Sequence, residues 1–315
     1  MQPDIRLTMG AAEWLLLISL SVLWGGSFFF VEVALESFGP FTVVLARVGL
    51  AAVTLWAIIS LRRLTIPRSP AIWLAFLCMG AINNMIPFSL IVWAQTEITG
   101  SLASILNATI PLFTVVVAHL LTRDERLSSG RVFGVVIGFS GVVVIIGPDA
   151  LSGLGANALA QIAVLCAALS YSFAAVFGRR FSGISPLVVA TGQVTGSTLL
   201  MLPLALVLER PWTAPGPGAG AVAALVALAV FSTALAYVLY FRILATAGAT
   251  NLLLVAFLIP VSAMLLGIPI LGESVRVGDI AGMMLIFAGL AVMDGRPVKL
   301  LLRAQSRGRG GMSAG

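Results

Sequence analysis

Residues 125–147, ERLSSGRVFGVVIGFSGVVVIIG, return at residues 273–295 as ESVRVGDIAGMMLIFAGLAVMDG, a constant 148 positions later. Seven of the 23 positions are identical: Glu125/Glu273, Gly130/Gly278, Gly134/Gly282, Phe139/Phe287, Gly141/Gly289, Val144/Val292 and Gly147/Gly295. Upstream, the pair Ile110-Pro111 recurs as Ile259-Pro260, with the spacing slipped by one. Identity at a fixed spacing marks a duplicated unit, so the chain reads as two copies of one element.

Composition says what medium the copies occupy. Hydrophobic residues make up 60% of the chain, charged residues 10%, and the mean hydropathy is +1.10, whereas soluble domains carry roughly a quarter charged residues. Apolar runs of about 20 residues, enough to cross the hydrocarbon core, fall near 12–34, 40–61, 71–94, 99–122, 129–147, 156–178, 185–208, 218–241, 249–271 and 277–294. Backbone amides in lipid must be satisfied within their own segment, and no alternating strand pattern exists, so these are helices. The expected fold is an all-α integral membrane protein of ten helices: residues 1–148 form one five-helix repeat, 149–296 the other, and 297–315 a basic disordered tail. Five is odd, so the second copy enters the membrane from the opposite side and the repeats are inverted. Glu125 and Glu273 are then expected at opposite surfaces.

Fifteen of the 18 Lys and Arg lie at the N-terminus, in loops 2/3, 4/5, 6/7 and 8/9 and in the tail, against Arg210 and Arg276 on the other face; Arg47 lies within helix 2. That bias places both termini in the cytoplasm of a multi-pass protein. The basic net charge of +6 follows from this asymmetry and gives no reason to expect nucleic acid. The first apolar run is too long for a cleaved signal and is expected to stay. Cys78 and Cys166 lack metal-ligand spacing and read as small apolar fillers. No carboxylate cluster suits a metal, and no cofactor is expected.

Polar groups inside the spans are the candidate functional residues, because each needs a partner or water. Helix 1 carries Trp24-Gly25-Gly26-Ser27, where the glycines serve either helix packing or a cavity wall. Glu32, near the outer end of helix 1, and Arg47, about 10 Å down helix 2 at 1.5 Å per residue, are a candidate charge pair, structural or coupling; Gln193 takes the Arg47 place in the second copy. Asn83 and Asn84 precede Pro87, which frees a backbone acceptor, and are read as cavity lining over interhelical glue. Asn107 flanks a small-residue face that ends at Pro111. His119, the single histidine, reads as interfacial. Tyr237 and Tyr240 belong either to the aromatic belt or to a substrate cavity. Gly130, Gly134 and Gly138 of helix 5, with Gly278 and Gly282 of helix 10, form a stripe for close packing. Gly138-Phe139-Ser140-Gly141 looks like the serine motif of rhomboid proteases, but no histidine follows it, so an enzyme is not expected.

The combination of Trp24-Gly25-Gly26-Ser27-Phe28, Arg47 after Pro40, and duplicated stretches running Ile-Pro, Glu, Gly-x-x-x-Gly and Phe-x-Gly resembles the EamA family of the drug/metabolite transporter superfamily, over residues 10 to 296. The resemblance implies a carrier that exports a small metabolite, commonly an amino acid or relative, from a bacterial inner membrane; a secondary transporter, monomeric in lipid, is expected. The resemblance also implies a cavity lined by helices 1, 3, 4, 6, 8 and 9, with Trp24, Asn83, Asn107, Tyr171 and Tyr237 near the substrate. Ile110 and Ile259 stand where family members often have an acid before the helix 4 and 9 prolines, which leaves no proton-binding group there. In the expected alternating-access cycle Pro111 and Pro260 act as paired hinges. A flippase for lipid-linked sugars shares the fold and is the alternative.

Overall fold

The computed structural model describes residues 9–122, 127–147, 155–213 and 216–294, without the side chains of residues 249 and 250. Within them the chain is helical, and its spans are α1 (Ala11–Leu35), α2 (Pro40–Leu61), α3 (Pro70–Ala94), α4 (Gly100–Leu121), α5 (Ser129–Ile146), α6 (Ala156–Phe181), α7 (Pro186–Leu208), α8 (Ala219–Gly248), α9 (Val255–Leu271) and α10 (Val277–Asp294). Among the described residues nine helices are long and apolar enough to cross a membrane, and α9 is shorter. Its shortness comes from Gly248, whose φ of 77° breaks the helical path, and from the irregular turn at Leu253 and Leu254 that follows. Proline opens α2, α3 and α7 at the first turn, where its missing N–H leaves no hydrogen bond unmade.

The inversion is written in the seam between α5 and α10. A Cβ placed on Gly134 would lie 2.5 Å from the Gly289 carbonyl oxygen, and one on Gly141 would lie 2.5 Å from that of Gly282. As residue numbers rise along α5 they fall along α10, so these equivalent helices run antiparallel. Gly134 is the counterpart of Gly282 and Gly141 of Gly289, so each contact is the image of the other under exchange of the copies. The other packing pairs obey the same exchange: α1 against α9 mirrors α6 against α4, and α1 against α8 mirrors α6 against α3.

The stripe expected here needs correction at both ends. Nothing lies within 4 Å of a Cβ on Gly130, and on Gly278 it would meet only the Val144 carbonyl, at 3.8 Å. Gly138 faces the side chain of Leu112 in α4 as well as Gly289, and Gly289, unremarked in the sequence stripe, takes the place of Gly278 in the seam. Gly25 is a packing glycine, since its Cβ would sit 2.6 Å from Ser262 Cβ and 2.9 Å from the Ile259 carbonyl of α9.

Apolar residues from α4, α5, α6 and α10, including Leu112, Ile145, Val164 and Ile286, form the largest buried cluster. Large apolar side chains also face outward: Phe133 is 68% and Leu265 69% exposed. A belt of that kind is what a lipid-facing surface requires. Cys78 and Cys166 lie on this outer surface, so they do not fill the core. Glu125, the join at 148–154 and the tail fall outside the described residues.

Candidate substrate cavity

Three central helices, α3, α4 and α8, carry defects in their hydrogen-bond ladders, and each defect brings polar side chains to the cavity wall. In α3 a π-helical turn spans Ala81–Met85, just ahead of Pro87. In α8 an equivalent turn spans Val230–Leu235. The wide turn that holds Asn83-Asn84 in the first copy thus holds Ser232-Thr233 in the second, 149 positions later. In α4 the helix stops at Asn107 and restarts at Ile110; the junction before α9 is broken likewise.

These defects surround a cavity of about 610 Å³. Its wall includes Trp24, Ser27, Arg47, Asn83, Gln95, Asn107, Tyr171, Gln193, Ser232, Thr233, Tyr237 and Tyr240, with Phe28, Phe88, Phe241 and Ile259 as apolar surface. All three tyrosines of the chain line it. Pro111 also reaches the wall. At one end the lining continues to Gly178, Phe181, Leu244 and Leu253, at the ends of α6 and α8 and the start of α9. At the other end it stops at Val31, Ile91 and Gln95, where Gln95 Nε2 donates to the Phe28 carbonyl at 2.9 Å.

Arg47 is the one charged residue lining the cavity among the described residues. It is 7% exposed. Its Nε donates to Thr233 Oγ1 at 3.0 Å, and its guanidinium carbon lies 3.7 Å from the centre of the Phe88 ring, a cation–π contact. The counterpart of Arg47 in the other copy, Gln193, is neutral, and its Oε1 accepts from Asn83 Nδ2 at 3.2 Å. Tyr237 closes the polar wall by accepting from Asn84 Nδ2 at 3.1 Å. Trp24 and Tyr240 lie with ring centres 5.7 Å apart and planes tilted by 43°, and Tyr237 stacks on Phe241. Asn107 Oδ1 and Ser232 Oγ are buried without a hydrogen-bond partner.

Three expectations change. Glu32 and Arg47 do not pair: Arg47 turns into the cavity toward α8, while Glu32 turns to the N-terminus of α4, where it accepts from Gly100 N at 3.2 Å. Asn84 stands behind the wall as the support of Tyr237. Pro111 and Pro260 do not occupy matching places, since Pro111 begins a helical segment after a break and Pro260 lies inside α9, whose break precedes it by several residues. Ser232, Thr233, Gln95 and Tyr240 complete the site. Ser232 and Thr233 could have been found by carrying Asn83-Asn84 forward at the spacing of the Ile-Pro pair.

A profile of the EamA-like transporter family matches residues 12–147 and again 158–293. The chain belongs to the EamA-like transporter family. It is therefore a multi-pass membrane transporter and not an enzyme. It is 23% identical over 279 residues to the uncharacterized transporter YoaV of Bacillus subtilis, covering 87% of this chain and 94% of the relative. It is 24% identical over 287 residues to the uncharacterized inner membrane transporter YedA of Escherichia coli K12, covering 89% and 90%. A probable terminal-alkyne amino-acid exporter of Streptantibioticus cattleyicolor is 24% identical over 303 residues, covering 96% and 99%. A solved crystal structure, 21% identical, superposes with a TM-score of 0.65 over 94% of this chain and 99% of its own, which speaks for the fold.

Proposed function

We propose that this EamA-family protein is a secondary exporter of a small amphipathic metabolite, an amino acid or close relative, working by alternating access in a bacterial inner membrane with both termini in the cytoplasm. The observation that carries this reading is the cavity between inverted repeats, walled off at the Gln95 end and reaching the opposite end of the bundle. With the orientation given by the basic loops, that opposite end is cytoplasmic. The geometry is then a loading state, ready to take solute from inside the cell. The name of the exporter related over nearly its whole length supports the solute class.

The test is counterflow in liposomes containing purified protein, with labelled amino acids and with and without a pH gradient. Saturable exchange of at least one amino acid is expected. Conduction without saturation, or movement of labelled lipid-linked sugar in place of amino acids, would replace the exporter with a channel or with a flippase.

A further inference from the structure

Among the described residues Arg47 is a buried cation without an anion. Desolvating a guanidinium is costly unless a counter-charge and hydrogen bonds replace water, yet the protein gives it only Thr233 Oγ1 and the face of Phe88. Of its five donors one is engaged; the two terminal nitrogens, the fork that matches a carboxylate with two parallel hydrogen bonds, have no acceptor among the described residues. Glu32 and Glu273 are occupied with the amides that open α4, and no Asp or Glu lines the cavity among the described residues. The corresponding place in the other copy, Gln193, is neutral and satisfied by Asn83. One half of the cavity is electrically complete and the other is not.

We propose that Arg47 is the anchor for a carboxylate carried by the transported solute, so that the substrates are apolar carboxylic acids, amino acids included, and not amines or uncharged solutes. The proposal rests on the reading of this cavity as the transport site. Ser232, unpartnered on the same π-helical turn as Thr233, offers a hydroxyl donor to the same carboxylate. Asn107 Oδ1, unpartnered in the α4 break, offers an acceptor to a substrate N–H. Trp24, Tyr240, Phe241 and Ile259 supply apolar surface for the body. Loss of the carboxylate leaves the buried cation bare, whereas loss of the amine leaves only a neutral acceptor unmet.

The test compares phenylalanine and leucine with their amides, with phenethylamine and with 3-phenylpropionate, by tryptophan fluorescence and thermal shift on the purified protein and by competition in liposome counterflow. The two amino acids and 3-phenylpropionate are expected to bind, and the amides and the amine to bind weaker by about tenfold or more. R47Q should remove the discrimination and R47K should keep part of it. Equal binding of acids and amides, no binding of any acid, or unchanged discrimination in R47Q overturns the anchor, and the wild-type comparison decides the matter even if R47Q does not fold. Exchange that ignores the carboxylate sinks the anchor and leaves the exporter standing; carboxylate-selective binding without exchange does the reverse.

Discussion

Glu32 and Glu273, from opposite repeats, meet over the first two amides of α4. Glu32 Oε2 accepts from Gly100 N at 3.2 Å and Glu273 Oε2 from Ser101 N at 3.0 Å, so two carboxyls share the start of one helix. Amides at a helix start are unsatisfied by the helix itself and carry its positive end, so this contact ties α1, α4 and the α9–α10 turn together just beyond the closed end of the cavity. E32Q should be tolerated, since its amide keeps an oxygen to accept from Gly100 N and removes one of the two acids crowded at this helix start. E273A should lower stability by about 1–3 kcal/mol and make a cysteine placed at Val31 react faster with a membrane-impermeant maleimide from that side. Thermal unfolding and labelling rates check both; an E273A protein as stable and as slowly labelled as its parent would dissolve the latch.

Gly267 makes room for that latch. A Cβ on it would lie 2.5 Å from Glu273 Oε2 and 2.6 Å from Cδ, so G267A must displace the carboxylate. We expect G267A alone to destabilise and G267A with E273A to cost less than the sum of the two, because the second change removes the atoms that clash. A double-mutant cycle by thermal unfolding measures the coupling; strict additivity would place the two residues in separate networks.

Glu209, at the end of α7, closes the start of α2 in the same manner. Its carboxylate accepts from Phe41 N and Thr42 N, both at 2.7 Å, and from Thr42 Oγ1 at 2.6 Å. It serves as the cap that Gly39, the residue before α2, lacks a side chain to provide. E209A should cost about 0.5–2 kcal/mol, the usual loss of a helix cap, and E209Q less. Urea or thermal unfolding in detergent reads the difference, and an E209A chain with an unshifted midpoint would show that the cap is solvated away.

Depth in the membrane can be counted along a sequence, and direction around a helix cannot when both faces are apolar. The spans and their inversion were legible because twenty-residue apolar runs and a fixed spacing leave few alternatives. The family resemblance implies Trp24, Asn83, Asn107, Tyr171 and Tyr237 at the cavity; for Asn83 the residue itself points there, because an amide in mid-span must face something other than lipid. Glu32 and Arg47 were paired by depth, but they project from their helices toward different neighbours. Glu273 reads as a surface acid; Gly272, at φ 69°, turns the chain back so that Glu273 N reaches the Gly267 carbonyl at 3.3 Å and the side chain tucks under the helix end. The π-helical turn in α8 has no proline to announce it, and only its twin in α3 makes it visible.

The glycine seam gives the sharpest contrast between identical substitutions. In a helix, Gly to Ala gains up to about 1 kcal/mol from propensity alone. At Gly130 a Cβ meets nothing within 4 Å, so G130A should leave stability unchanged or raise it by that amount. At Gly141 the Cβ would lie 2.5 Å from the Gly282 carbonyl oxygen and 2.9 Å from Leu285 Cβ; a backbone oxygen cannot step aside unless α5 and α10 separate. Overpacking of that kind costs about 1–3 kcal/mol, which outweighs the propensity gain, so G141A should destabilise, and G289A, its image in the other repeat, should do the same. Thermal unfolding of the three variants decides the matter: equal midpoints for G130A and G141A would mean that the two helices do not touch where the repeat symmetry brings them together.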